Sequence, residues 1–245
     1  MSPDSASDST AEERAFDTNL FITISGPPGC GATTLTEGLA EALDCGYVIG
    51  GDIFRDLAEE RGLTLQQLIA KAEEDDEIDR ALDRRLRRIA EQWGTANKAF
   101  ILESRLAGWL AGNRADLRIW LDAPEEVRVE RLSEHEVREG MDYVIERPED
   151  YVVESAAERS PKEVGLKDLD DEEEIGALMR VREVSEVGRY KSYYGIDLAD
   201  RSFYDISLNT ARWDADAVLD VVLSAIEGYD PEADEGAFET KDIDV

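Results

Sequence analysis

Apolar and polar positions alternate along this chain with two periods, and the changes of period mark its elements. Leu20 to Ser25 is a run of apolar and β-branched residues long enough for one buried strand. It breaks into Gly26-Pro27-Pro28-Gly29-Cys30-Gly31, where neither strand nor helix can continue, and helical spacing resumes from Ala32 to Leu43. Tyr47 to Ile49 predicts a second, short strand, followed by Gly50-Gly51 as a second glycine turn that runs into a helix with Arg55 one turn in. Thr64 to Gln67 has the form of a capping box and opens another helix. A longer helix is predicted from Asp76 to Trp93, with Ile78, Leu82, Leu86, Ile89 and Trp93 on one face. Its arginines Arg80, Arg84, Arg87 and Arg88 stand at helical spacing from Asp76, Asp79, Asp83 and Glu91, which reads as a solvated, salt-bridged face.

Ala99 to Leu102 and Leu117 to Leu121 predict the third and fourth strands and Phe203 to Leu208 the fifth. Helices are expected from Pro124 onward, where proline suits a first turn, from Ala177 to Tyr194, and from Trp213 to Ile226. Residues 134–176 are polar and short of apolar period, which suits a lid enlarged by a solvated insertion. Residues 1–19 read as a disordered acidic tail and 228–245 as a second acidic tail. Strands alternating with helices predict an α/β fold: a five-stranded parallel sheet with helices on both faces, forming one domain over residues 20–227. There is no internal repeat.

Charge changes the picture of partners rather than of fold. Among 245 residues 58 are acidic and 27 basic, for a formal net charge of -31, while 42% are apolar. Such a surface repels nucleic acid and anionic lipid, so neither is an expected partner. Of the basic residues 21 are arginine and six lysine, a balance resembling that of proteins from salt-loaded cytoplasm. Cys30 and Cys45 lack metal-ligand spacing and read as free thiols of a reducing compartment. The first 19 residues contain no apolar signal core and no run approaches a membrane span, so a cytoplasmic location is expected.

The candidate chemistry starts at the glycine-rich loop. Strand, loop and helix in this order form a phosphate cradle, because backbone N–H groups and the positive end of the helix dipole converge on an anion. Gly26, Gly31 and Thr33 sit at the spacing of G-x-x-x-x-G-K-[ST], with the Thr33 hydroxyl placed for Mg²⁺, but Ala32 occupies the lysine position. Glu103 and Arg105 follow the third strand, where open α/β sheets gather ligands, and Glu103 or Asp122 could hold Mg²⁺ through water. Arg128 and Arg131 lie on successive turns, and Arg182, Glu186 and Arg189 share nearly one face. His135, the only histidine, reads as a surface residue.

The blocks GPPGCGATT, GGDIFRDLAEERG, EIDRALDRR, LESRLAGW, ADLRIWLDAPEEVR and REVSEVGRYKSYYGIDLADRSFYD, in this order, resemble the archaeal type of cytidylate kinase. The resemblance runs from about Phe21 to Ile226 outside the acidic stretch 134–176. It implies a P-loop NTPase core, an NMP-binding region at about 52–93 and a lid, and transfer of the γ-phosphoryl of ATP to CMP or dCMP with Mg²⁺. It also implies a cytoplasmic monomer. By the same resemblance Gly26, Pro27, Pro28, Gly29, Cys30, Gly31, Ala32, Thr33 and Thr34 form the ATP loop. Asp52, Arg55, Arg105 and Glu186 lie on the CMP side, with Arg55 and Arg105 on its phosphate. Arg182 and Arg189 reach the transferring phosphoryl, and Arg131 is the arginine at the lid entrance. Two alternatives stay open on the residues themselves: another small kinase of the adenylate or shikimate type, and a nucleotide-binding regulator without turnover.

Overall fold

The computed structural model describes residues 19–94, 98–139, 171–229, 243 and 245. Strands β1 (Phe21–Ser25), β2 (Gly46–Ile49), β3 (Phe100–Glu103), β4 (Leu117–Asp122) and β5 (Ile206–Asn209) form one sheet in the order β2-β3-β1-β4-β5. Every pairing is parallel, with Ile22 opposite Ile101 and Leu117 on its two sides. The expected α/β sheet is therefore present, and β1 lies at its centre. Its loop opens where the chain crosses over from β3 on one side to β4 on the other, the crevice in which such sheets bind ligands.

Alternation along β1 sends side chains to two cores. Ile22 and Ile24 join Leu35 and Leu39 of α1 (Ala32–Ala42) and Val222 and Ile226 of α8 (Ala215–Glu227). Phe21 joins Phe100, Leu102, Leu86 of α4 (Asp76–Trp93) and Leu110 of α5 (Ala107–Ala111) on the opposite face. Helices α2 (Gly50–Glu60) and α3 (Leu65–Glu74) build a smaller cluster with α4 around Leu68 and Ile78, and the Thr64 capping box forms as expected. Helices α6 (Glu125–Glu139) and α7 (Asp171–Tyr194) pack through Val129, Ile175 and Met179. Among the described residues no helix is long and apolar enough to cross a membrane.

Several boundaries differ from the expectation for physical reasons. The fifth strand starts at Ile206, because Phe203 and Tyr204 turn inward against Trp109 and Trp120, with ring centroids 3.9 and 5.2 Å apart for the pairs Trp109–Phe203 and Trp120–Tyr204. Gly50 is the first residue of α2 rather than part of a turn: a Cβ there would lie 2.7 Å from the Ser104 Cβ, so glycine lets the helix start against the end of β3. Both flanks of the expected lid, 134–139 and 171–176, are helical, since Ile175 anchors α7 onto α6. The remainder of that lid, the amino-terminal tail through residue 18, and residues 230–242 lie outside the described residues, as does the His135 side chain. The far end of the expected acidic tail is not wholly peripheral: Ile243 is buried in the second core and Val245 packs against it.

The largest correction concerns α4. Arg80 and Arg87 do pair with Asp76 and Glu91, at 3.0 Å each, although Arg87 is largely covered and also donates to the Leu110 carbonyl of α5 at 2.9 Å. Asp79 and Asp83 do not: both are buried, at 6% and 3% exposure, where α4 meets α7. Asp79 accepts from Arg189 at 2.7 Å and Asp83 from the Tyr194 hydroxyl at 2.9 Å.

Candidate active site

The loop between β1 and α1 takes its shape from glycine. Gly31 is the residue before the first turn of α1 and has φ of 93°, a left-handed conformation that carries no Cβ penalty only for glycine. No side chain caps this helix, so the leading N–H groups of α1 are left for another acceptor. Cys30 N–H closes the loop by donating to the Pro27 carbonyl at 3.2 Å. Burial pushes the Cys30 thiol up to about 11 against the pull of Arg105, so it is a packed neutral group rather than a nucleophile. Ala32, at the lysine position, is 7% exposed and packs in the first core, while Thr33 and Thr34 are exposed.

The loop forms the floor of a cavity of about 540 Å³, bordered by Glu103 and Arg105 on one side and by Arg131, Thr210 and Trp213 on the other. Arg105 is fixed by two bonds: its Nε donates to Glu186 Oε2 at 3.0 Å and its Nη1 to the Gly26 carbonyl at 2.7 Å. Glu186 Oε1 accepts from Arg182 Nε at 2.7 Å, so one buried carboxylate on α7 holds two guanidinium groups. Burial alone would raise the Glu186 carboxyl, but Arg105 and Arg182 outweigh it and hold the group down at about 2. Arg131 donates to the Thr210 hydroxyl at 2.9 Å, to its carbonyl at 2.8 Å and, at 3.4 Å, to the Gly29 carbonyl.

Glu103 is 7% exposed, and that burial pushes its carboxyl up to about 7 although Arg105 opposes the shift; Asp52 raises it further and Arg55 lowers it. Asp52 and Arg55 pair with each other on the exposed side of α2. No group of three or more metal-binding side chains occurs among the described residues. Mg²⁺ would keep most of its water and take one or two protein oxygens beside substrate phosphates. The donors present for it are the exposed Thr33 hydroxyl and the Glu103 carboxyl, both bordering the cavity.

The expected residues therefore fall into three places. Pro27 to Thr34, Glu103, Arg105 and Arg131 border one cavity, and Arg182 and Glu186 join it through Arg105. Asp52 and Arg55 stand on α2, close enough to influence Glu103. Arg189, expected beside Arg182, instead binds Asp79 and the Ser185 hydroxyl at the contact of α7 with α4. Sequence reasoning missed Thr210 and the pair Asp79 and Asp83. A signal existed for the pair: Asp79, Asp83, Leu86 and Ala90 follow a helical stripe whose other members are core residues.

This geometry would suit several small phosphate-transferring enzymes, and comparison with known proteins decides among them. The chain is 48% identical over 217 residues to the cytidylate kinase of Natronomonas pharaonis, covering 89% of this chain and 94% of that one. It belongs to the cytidylate kinase family. The cytidylate kinase of Haloquadratum walsbyi is 44% identical over 224 residues, 91% of this chain and 98% of its own. The family model described as an AAA domain matches residues 22–152, from β1 past α6. Among solved structures, an uncharacterized protein from Eubacterium ventriosum shares the fold with a TM-score of 0.54 at 15% identity, covering 86% of this chain and 99% of that one. The family expected from the sequence blocks is thus borne out.

Proposed function

We propose that this chain transfers the γ-phosphoryl of ATP to CMP or dCMP, giving the diphosphate and ADP. The observation that supports the reading is the Arg105–Glu186–Arg182 link, which ties the guanidinium bonded to the Gly26 carbonyl to a second one on α7 in a member of the cytidylate kinase family. Transfer between phosphates needs no strong base, since the attacking oxygen is already an anion near neutral pH. It needs two anions held in line, with positive charge and exclusion of water.

The roles follow the placements. Gly26 to Thr34 cradles the donor phosphates with backbone N–H groups and the dipole of α1. Thr33, with Glu103 through water, would hold Mg²⁺, which would supply positive charge to the donor phosphates. Asp52, Arg55 and Arg105 serve the acceptor, on an NMP-binding region formed by α2 to α4. Arg182, with Arg131 and Arg189, answers the charge that develops on the transferring group. Each of these guanidiniums already holds a protein carboxylate or carbonyl, so an arriving phosphate joins or displaces a bond rather than recruiting a solvated side chain. The acidic, arginine-rich surface supports a monomer working in a salt-loaded cytoplasm, without nucleic acid or membrane partners.

The test is ADP production across a panel of acceptors. CMP and dCMP are expected to lead, with AMP poor and shikimate inactive. AMP or shikimate ahead of CMP would move the chain to another kinase specificity, and no ADP above that formed with ATP alone would favour the regulator.

A further inference from the structure

Behind the phosphate loop lies an arginine that none of these roles uses. Arg128, in the first turns of α6, is 6% exposed. Its Nε donates to the Ala123 carbonyl at 2.9 Å and its Nη1 to the Pro28 carbonyl at 3.1 Å. The fork of the same guanidinium grips Glu183 of α7, with Nη2 3.3 Å from Oε2 and Nη1 on Oε1. We propose that Arg128 is a positioning residue for phosphoryl transfer: it aims the Gly29 N–H at the donor phosphates and, through Glu183, keeps α7 in register with the loop.

The aim follows from peptide geometry. The Pro28 carbonyl and the Gly29 N–H belong to one planar trans peptide and point in opposite directions. A charged donor on the carbonyl fixes that plane, turns the N–H away from α6 and polarises it. Gly29 borders the cavity. It also has φ of 76°, and a Cβ on it would lie 2.6 Å from the Arg128 backbone oxygen and 2.9 Å from the Arg128 Cβ, so loop and helix touch at this residue.

Three arginines grip loop carbonyls, and the comparison singles out Arg128. Arg105 holds the Gly26 carbonyl, but the next residue is Pro27, which has no N–H to aim. Arg131 reaches the Gly29 carbonyl at 3.4 Å, and the Cys30 N–H of that peptide is committed to Pro27. Only Arg128 holds a peptide whose N–H makes no bond within the loop among the described residues. Glu183 follows Arg182 directly and lies one turn before Glu186, so the same guanidinium fixes the stretch of α7 that carries the Arg105–Glu186–Arg182 link. With no lysine at Ala32, the loop depends on its backbone donors, and their aim is correspondingly exposed to a change at Arg128.

This proposal rests on the kinase reading, and the wild type assayed with CMP separates the two: an inactive wild type sinks that reading and the proposal together. With an active wild type the test uses Arg128→Lys and Glu183→Gln, measured by steady-state kinetics, calorimetric ATP binding and thermal melting. Arg128→Lys keeps the charge but loses the Nε bond to Ala123 and the two-nitrogen grip on Glu183 that fix the plane of the group on Pro28, and should weaken ATP binding about tenfold with CMP affinity unchanged. Glu183→Gln leaves the loop bonds of Arg128 in place, and should lower kcat about tenfold while ATP affinity stays within about threefold and the melting temperature hardly moves. Should Arg128→Lys fail to fold, Glu183→Gln alone decides. Wild-type kinetic constants and ATP affinity in the folded variants, or a lowered melting temperature with those constants intact, would overturn the proposal.

Discussion

Two arginine clusters flank this active site, and they are built differently. Around the phosphate loop Arg105, Arg128 and Arg131 donate to backbone carbonyls of Gly26, Pro28 and Gly29, and Arg105 and Arg128 each hold one carboxylate of α7 besides. Between α4 and α7 the positive side chains meet acids: Arg189 binds Asp79, and Arg80 lies 5.0 and 5.5 Å from the ring centres of Tyr193 and Tyr194, next to Asp83. The first arrangement keeps a positive field for an anion. The second is nearly neutral and serves to lock the proposed NMP-binding helix to the helix that carries Arg182. In a chain of net charge -31 the difference is informative: beside the phosphate loop arginine shares its bonds between carboxylate and backbone, whereas between α4 and α7 it meets carboxylates and rings.

The widest gap between the clusters should appear in turnover. Arg182→Ala is expected to lower kcat by about the 10³-fold associated with arginine fingers, with ATP affinity much less affected. Arg189→Met should act on stability as well, because it removes the Arg189 bond to the buried Asp79 carboxylate, at a cost of about 3 kcal/mol. Steady-state kinetics and chemical denaturation on both variants would sharpen the contrast. A loss of turnover without loss of stability in Arg189→Met would merge the two clusters into one.

Salt should act on the whole surface. With 31 excess negative charges, the melting temperature is expected to rise between roughly 0.1 and 2 M KCl, as the Debye length falls from ~10 Å to a few. A flat or falling melting curve would remove the surface charge from the account.

A smaller effect is expected in the pH dependence of stability. Burial raises the Asp83 carboxyl from 3.8 to about 7, although the Tyr194 hydroxyl opposes the shift and Asp79 adds to it. The folded state thus holds this proton more tightly than the unfolded one, and stability falls as pH rises from about 4 through about 7. Glu103, also raised to about 7, titrates with the same sign, whereas Glu186, held near 2, contributes stability that is lost only as pH drops below about 4.5. Asp83→Asn keeps an acceptor for Tyr194, so its melting temperature relative to wild type should climb between pH 5 and 8. A constant difference would mean that Asp83 does not titrate there.

The smallest effect is expected at Ala32. Its methyl group packs in the first core, so Ala32→Lys must carry its ammonium out toward phosphate oxygens that other donors already serve. Turnover should change by no more than about threefold; a gain of orders of magnitude would mark the loop as decayed.

Much of this was legible in the sequence because it is written in local patterns. The run Leu20 to Ser25, the glycine spacing after it and the Thr64 capping box each carry their own signal. What was not legible depends on contacts distant in the chain. Nothing near Arg128 shows that it meets Glu183, 55 residues on, or that Asp79 meets Arg189 across 110 residues. Phe203 and Tyr204 look like strand residues until Trp109 and Trp120 take them. Ile243 sits among acidic residues and reveals itself only by the core it enters.

The account stands most directly on the fate of one phosphorus atom. With ATP labelled at the γ position and CMP as acceptor, the label is predicted to appear in CDP, at a rate that vanishes when CMP is omitted. Label released only as free phosphate, or retained in ATP despite binding, would contradict it.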